Sequence, residues 1–107
     1  MAARISKDDF EEKVLKSPIP VIVDFYSDSC VACKKLAPVL GGLEDDYEDR
    51  IAVYKVNSNF DQELAGQYGI MANPTLLLFK NGEAVDRKAG FQMPDALEAW
   101  VESYIEG

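Results

Sequence analysis

The sequence predicts an α/β domain built on a mixed β-sheet. Three observations carry this. Helix-patterned and strand-patterned segments alternate through the first two-thirds of the chain, which favours parallel pairing with helical crossovers. An Asn81-Gly82 dipeptide then joins two strand-like segments, which adds an antiparallel end. A length of 107 residues with 48% apolar side chains suits one domain with one packed interior, taken as residues 1–107.

The elements follow in order. Ser6 and Asp9 have capping-box spacing ahead of Phe10, Val14 and Leu15, so a short helix is expected over Lys7 to Lys16. Ser17-Pro18-Ile19-Pro20 stops it. Val21-Ile22-Val23-Asp24-Phe25-Tyr26 reads as a buried central strand. After Ser27-Asp28-Ser29 a second helix starts near Cys30. Leu36, Val39, Leu40, Leu43 and Tyr47 share one of its faces, and Pro38, inside it, should kink it. Ile51 to Val56 is a strand. Asn59 and Gln62 are candidate caps for a third helix, closed by Gly66 or Gly69. Thr75 to Phe79 and Glu83 to Ala89 flank the Asn-Gly turn. Pro94 suits the first turn of a last helix whose buried stripe is Leu97, Trp100, Val101, Tyr104 and Ile105.

Charge and composition exclude several function classes. The net charge is −8, which disfavours nucleic acid and anionic membrane surfaces as partners. The chain has no histidine, so Ser-His and Cys-His catalytic pairs are absent. The longest uncharged run, Leu64 to Phe79, is broken by Gly66, Gly69 and Pro74 and is no membrane span. The N-terminus lacks the apolar stretch of a signal peptide, so a cytoplasmic location is expected, where thiols stay reduced. The acidic cluster Glu44, Asp45, Asp46, Glu48 and Asp49 reads as the wet face of the second helix.

The chemistry centres on Cys30-Val31-Ala32-Cys33, a C-x-x-C after a central strand and at a helix start. Reactive groups gather beyond the carboxyl ends of strands in such sheets. Unpaired N–H groups at the helix start stabilise a Cys30 thiolate. One helical turn brings Cys33 within reach, giving a nucleophile and a resolving thiol. Competing readings are a metal half-site, a structural disulfide and two inert thiols. The metal reading lacks ligands, because two thiols without histidine do not fill a four-coordinate zinc site; no metal is expected. A ring this small constrains little of the unfolded chain.

Asp24 is a carboxylate in the middle of an apolar strand. Burial would raise its pKa and make it a proton acceptor near neutral pH. Lys55, in the next strand, is a candidate partner; its alternative is a snorkelling surface lysine.

Together these residues resemble the thioredoxin family over nearly the whole chain. The matching stretches are Val21-Ile22-Val23-Asp24-Phe25, Cys30-x-x-Cys33-Lys34, Leu36-Ala37-Pro38, Asn73-Pro74-Thr75-Leu76-Leu77-Leu78-Phe79-Lys80-Asn81-Gly82, and Gly90. The resemblance implies the thioredoxin fold, with a five-stranded mixed sheet flanked by four helices. It implies a cis bond before Pro74, next to the dithiol. Ser29, Val31, Ala32, Ala72, Asn73, Pro74 and Gly90 are then the expected substrate-binding residues, with the backbone of Asn73 a docking edge for an extended segment. The family usually has Trp before the first cysteine and Gly-Pro between the two; here the residues are Ser29, Val31 and Ala32. Those departures bear on substrate range and on recognition by a flavoprotein reductase.

The expected activity is protein disulfide reduction by a cytoplasmic monomer. Cys30 is the expected nucleophile, Cys33 the resolving thiol and Asp24 the proton acceptor. No cofactor is expected; the redox-active Cys30–Cys33 pair itself carries the electrons. Expected partners are disulfide-containing proteins and a donor of the thioredoxin-reductase type. The alternatives are a non-catalytic interaction module and an iron–sulfur-bridged dimer through the cysteine pair.

Overall fold

In a computed structural model, which describes residues 2–105, five strands form one sheet in the order β1-β3-β2-β4-β5. The strands are β1 (Ala3–Arg4), β2 (Val21–Tyr26), β3 (Ala52–Asn57), β4 (Thr75–Lys80) and β5 (Glu83–Ala89). β1 and β2 pair parallel with β3; β4 runs antiparallel to both β2 and β5. The mixed sheet is therefore as expected, with β2 at its centre.

Side-chain alternation along β2 assigns two apolar layers. Ile22 joins Val53, Leu76 and Leu78 beneath α2 (Val31–Asp46) and α4 (Pro94–Ile105). Those helices contribute Leu36, Leu40, Leu43, Leu97, Trp100 and Val101. Val21, Val23 and Phe25 face the other way, toward Phe10, Val14, Leu64 and Ala65. The latter residues belong to α1 (Lys7–Phe10), the π-helical turn after it (Glu11–Leu15), and α3 (Gln62–Gln67). At roughly 1.5–3 kcal/mol for each fully buried large apolar side chain, these layers are the main stabilising term. By the same alternation Asp24 lies on the α2 side of the sheet.

Several boundaries differ from expectation. The first helix is not one α-helix to Lys16 but a short α segment that widens into the π turn, where Lys16 N–H bonds back to the Glu11 carbonyl at 3.0 Å. Its capping box is present: Ser6 N–H donates to the Asp9 carboxylate at 3.3 Å. Pro38 lies inside α2, as expected. β3 begins and ends one residue later than read. The N-cap of α3 is Asp61, not Asn59 or Gln62, and Gly69, with φ +64°, closes it rather than Gly66. Tyr104 and Ile105 are half-buried, at the edge of the α4 stripe.

The hairpin forms as the Asn-Gly pair dictates. Asn81 and Gly82 have φ of 55° and 82°, the left-handed values a two-residue turn requires. A Cβ at Gly82 would stand 3.0 Å from the Leu15 carbonyl oxygen, so glycine is needed there for space as well as conformation.

Candidate active site

The loop after β2 delivers Cys30 to the start of α2. Cys30 is the N-cap in extended conformation, and its sulfur accepts the Cys33 N–H at 3.0 Å. That bond satisfies one of the helix's orphan donors with the reactive sulfur. The two cysteines are joined as a disulfide, with Cα atoms 5.2 Å apart. Cys30 is half-buried, whereas Cys33 is only 5% exposed. Val31 and Ser29 stand exposed on either side of Cys30, and Ala32 is half-buried.

The loop before β4 closes on the same sulfur. The Asn73–Pro74 bond is cis, and the Asn73 carbonyl oxygen lies 3.4 Å from Cys30 Sγ. In the dithiol form that carbonyl is an acceptor for the Cys30 S–H. Pro74 is buried and its carbonyl accepts the Gly90 N–H at 2.8 Å, tying the loop to the end of β5. Gly90 takes φ +84°. Ala72 is exposed beside Asn73, as is Met71. Asn73 thus meets Cys30, with Ala72 and Pro74 on either side of it in the chain, while Gly90 bonds to Pro74 through the backbone.

Behind the disulfide lies a cavity of about 180 Å³, lined by Asp24, Cys33, Lys55, Ser27, Tyr26 and Lys34 among others. Its walls are mostly apolar, but Asp24, Ser27, Asp28 and Lys55 give it polar groups, and it is roomy enough for water. Asp24 is 2% exposed, and one of its carboxyl oxygens is buried without a hydrogen-bond partner. Burial pushes its pKa up from 3.8 to about 7, against the smaller downward pull of Lys55. Lys55 stands opposite Asp24 in the β2–β3 register, and its ammonium lies 5.0 Å from the Tyr26 ring centre.

Two polar residues not singled out from the sequence, Asn57 and Ser58, complete the surroundings. Asn57, the buried end of β3, donates to the Asp28 carboxylate at 3.3 Å and accepts the N–H groups of Asn59 and Phe60. Ser58 Oγ donates to Asn73 Oδ1 at 2.9 Å. The only available signal was position: Asn57 ends β3 and Ser58 follows it, at the carboxyl side of the sheet. Among the described residues no group of three or more His, Cys, Asp or Glu is arranged to hold a metal ion, and no helix is long and apolar enough to cross a membrane.

The arrangement places a sulfur at a helix start, a second sulfur behind it, a buried carboxyl by the second, and an exposed peptide edge by the first. Those are the components of thiol–disulfide exchange. Comparison with known proteins agrees. The family model described as Thioredoxin matches residues 1–103. A thioredoxin of Rickettsia bellii is 39% identical over 105 residues, covering 98% of this chain and all of the relative. Thioredoxin 1 of Nostoc sp. is 38% identical over 104 residues, 97% of each chain. Thioredoxin 1 of Synechococcus elongatus is 41% identical over 90 residues, 84% of each. The chain belongs to the thioredoxin family of thiol–disulfide oxidoreductases.

Proposed function

We propose that this oxidoreductase works as a protein disulfide reductase in which Cys30 attacks and Cys33 resolves. The observation that carries the reading is the asymmetry of the pair: a half-buried Cys30 at the helix start and a buried Cys33 beside Asp24. Cys30 thiolate attacks one sulfur of a substrate disulfide. A mixed disulfide forms, and the other substrate sulfur leaves as a thiolate. Asp24, through water in the shared cavity, takes the Cys33 proton. Cys33 thiolate then attacks Cys30 Sγ, closing the Cys30–Cys33 disulfide and releasing the second substrate thiolate. The substrate gains two electrons and the protein loses two.

In this reading no cofactor is bound, and a reductase of the thioredoxin-reductase type returns the electrons. Substrates dock as an extended segment along Ala72, Asn73 and Pro74, with Ser29, Val31 and Ala32 on the other side of Cys30 and Gly90 bracing the loop. The protein acts as a cytoplasmic monomer in cellular electron transfer. The absence of an indole before Cys30 bears on the substrate range and on recognition by that reductase.

Reduction of insulin by the protein with dithiothreitol as donor tests the reading. Multiple turnovers are expected, and Cys33→Ser should stall as a mixed disulfide through Cys30. Absence of turnover, as for a pure binding module, would overturn it.

A further inference from the structure

Asn73 is a polar residue where the exposed docking edge meets the nucleophile, and a second polar residue holds it. Its backbone carbonyl touches Cys30 Sγ at 3.4 Å, and its side-chain Oδ1 accepts from Ser58 Oγ at 2.9 Å. Ser58 is itself anchored: its N–H donates to the carbonyl of Tyr26, the last residue of β2, at 2.8 Å. The neighbouring Asn57 is pinned to Asp28 in the loop that carries Cys30. A run of hydrogen bonds therefore leads from the central strands to the residue that faces the substrate. Asn73 and Ser58 also border a hollow of about 300 Å³, lined in addition by Asn59, Gln62 and Met71.

A carboxamide has one acceptor and two donors. With Oδ1 committed to Ser58, the Nδ2 donors are what Asn73 offers to an incoming chain. A carbonyl or side-chain oxygen next to the substrate disulfide matches them; an apolar side chain there leaves them desolvated and unpaired, which is costly.

We propose that Ser58 is a positioning residue for substrate recognition: it orients the Asn73 carboxamide so that Nδ2 reads a hydrogen-bond acceptor beside the substrate disulfide. The inference rests on the reductase reading above and deepens it. Ser58 touches no reacting atom, so its loss acts on docking of a protein substrate and not on the reactivity of Cys30.

The test compares a protein disulfide, insulin, with the small aromatic disulfide 5,5′-dithiobis(2-nitrobenzoate), which is too small to occupy the docking edge. For Ser58→Ala, kcat/KM with insulin should fall about fivefold, equivalent to about 1 kcal/mol, with the change in KM. The rate with the small disulfide and the pH profile of Cys30 alkylation should stay within twofold of wild type. In an Asn73→Ala background, adding Ser58→Ala should cost nothing further, because the pair acts as a unit. An unchanged kcat/KM with insulin overturns the inference. So does an equal loss with both disulfides, which would mark a damaged nucleophile, or an additive loss in the double variant. A wild type that reduces neither disulfide overturns the reductase reading and this inference with it; a wild type that reduces insulin while Ser58→Ala leaves kcat/KM unmoved overturns this inference alone.

Discussion

The carboxyl of Asp24 and the sulfur of Cys33 line one cavity of about 180 Å³, the first held on the central strand and the second on the first turn of the helix packed over it. Neither group is placed there by its own preference. Asp24 occupies a core position that alternation along β2 aims at α2, and Cys33 is carried inward by the helical turn that leaves Cys30 outside. A carboxyl with a pKa of about 7 is divided between its two forms at neutral pH. It can therefore take a proton from a thiol and give it up again.

This placement has a stability consequence. In the unfolded chain the carboxyl keeps its ordinary value of 3.8, and in the fold it rises to about 7. The folded state holds the proton more tightly, so the wild type is best off at low pH. Relative to Asp24→Asn it should lose stability as pH rises from about 4 to about 7, and the deficit should then stay constant. The full rise corresponds to on the order of 4 kcal/mol. Denaturant melts of both proteins at pH 4 and pH 8 measure it; a difference independent of pH would place the carboxyl in water.

The same substitution should slow the second half of the reaction. An amide cannot accept the Cys33 proton, so collapse of the mixed disulfide should slow by roughly a hundredfold near pH 7, the low end of what a general base supplies. The loss should shrink at alkaline pH, where the thiol ionises unaided. Single-turnover insulin reduction across pH reads this directly, and a rate unchanged at pH 7 would remove Asp24 from the mechanism.

Lys55 works against the burial of Asp24. Its cation faces the carboxyl across the β2–β3 register and lowers a pKa that desolvation raises. Lys55→Met should therefore move the Asp24 titration above its wild-type midpoint of about 7. Carbon NMR of the Asp24 carboxyl in the oxidised protein would follow the shift. A midpoint that stays put would mean that the ammonium, drawn over the Tyr26 ring, is screened from it.

Much of this site was legible in the sequence because it sits where periodicity and turn chemistry are strict. An aspartate among Val21, Ile22, Val23 and Phe25 points to a buried carboxyl once that strand is central, and the Asn81-Gly82 turn sets β4 and β5 antiparallel. The π turn after Phe10 was hidden, since Glu11 to Leu15 has an ordinary helical pattern. Asp61 as N-cap was missed because Asn59 is an equally good cap by type; Asn59 N–H instead bonds to Asn57 Oδ1. Asn57 and Ser58 were illegible for a related reason. Polar residues at a strand end resemble any loop, and their long-range side-chain partners, Asp28 and Asn73, come from distant segments.

The dipeptide between the cysteines should set the redox poise. Cys33 N–H already donates to Cys30 Sγ at 3.0 Å, and the Ala32 N–H is another of the unpaired donors at the start of α2. Replacing Val31-Ala32 by Gly-Pro deletes that second N–H. The Cys30 thiolate then loses stabilisation, and the dithiol should become the stronger reductant by tens of mV, where 30 mV corresponds to about 1.4 kcal/mol. Val31 is 66% exposed, so the fold should tolerate the change. Equilibration with glutathione gives the potential; a shift toward a weaker reductant would contradict the argument.

Asn57 should matter more to the fold than its polarity suggests. It is 4% exposed at the end of β3, and its single side chain serves three groups. Oδ1 accepts the N–H of Asn59 at 3.0 Å and of Phe60 at 3.1 Å, and Nδ2 donates to Asp28 at 3.3 Å. Asn57→Ala strips all three at once. Asn59 and Phe60 are exposed, so water partly replaces the lost acceptor, and the expected loss is about 1–3 kcal/mol. Amide exchange at Asn59 and Phe60 should quicken in step. Asn57→Asp separates the contributions. Its carboxylate keeps an acceptor for both N–H groups, so their protection should return, but it faces Asp28 with a like charge. Stability should therefore remain below wild type at neutral pH and approach it as the pH is lowered and the pair takes up a proton. An Asn57→Asp protein as stable as wild type at pH 7 would show that the Asp28 contact contributes nothing, and unprotected amides at Asn59 and Phe60 would show that the turn does not depend on this side chain.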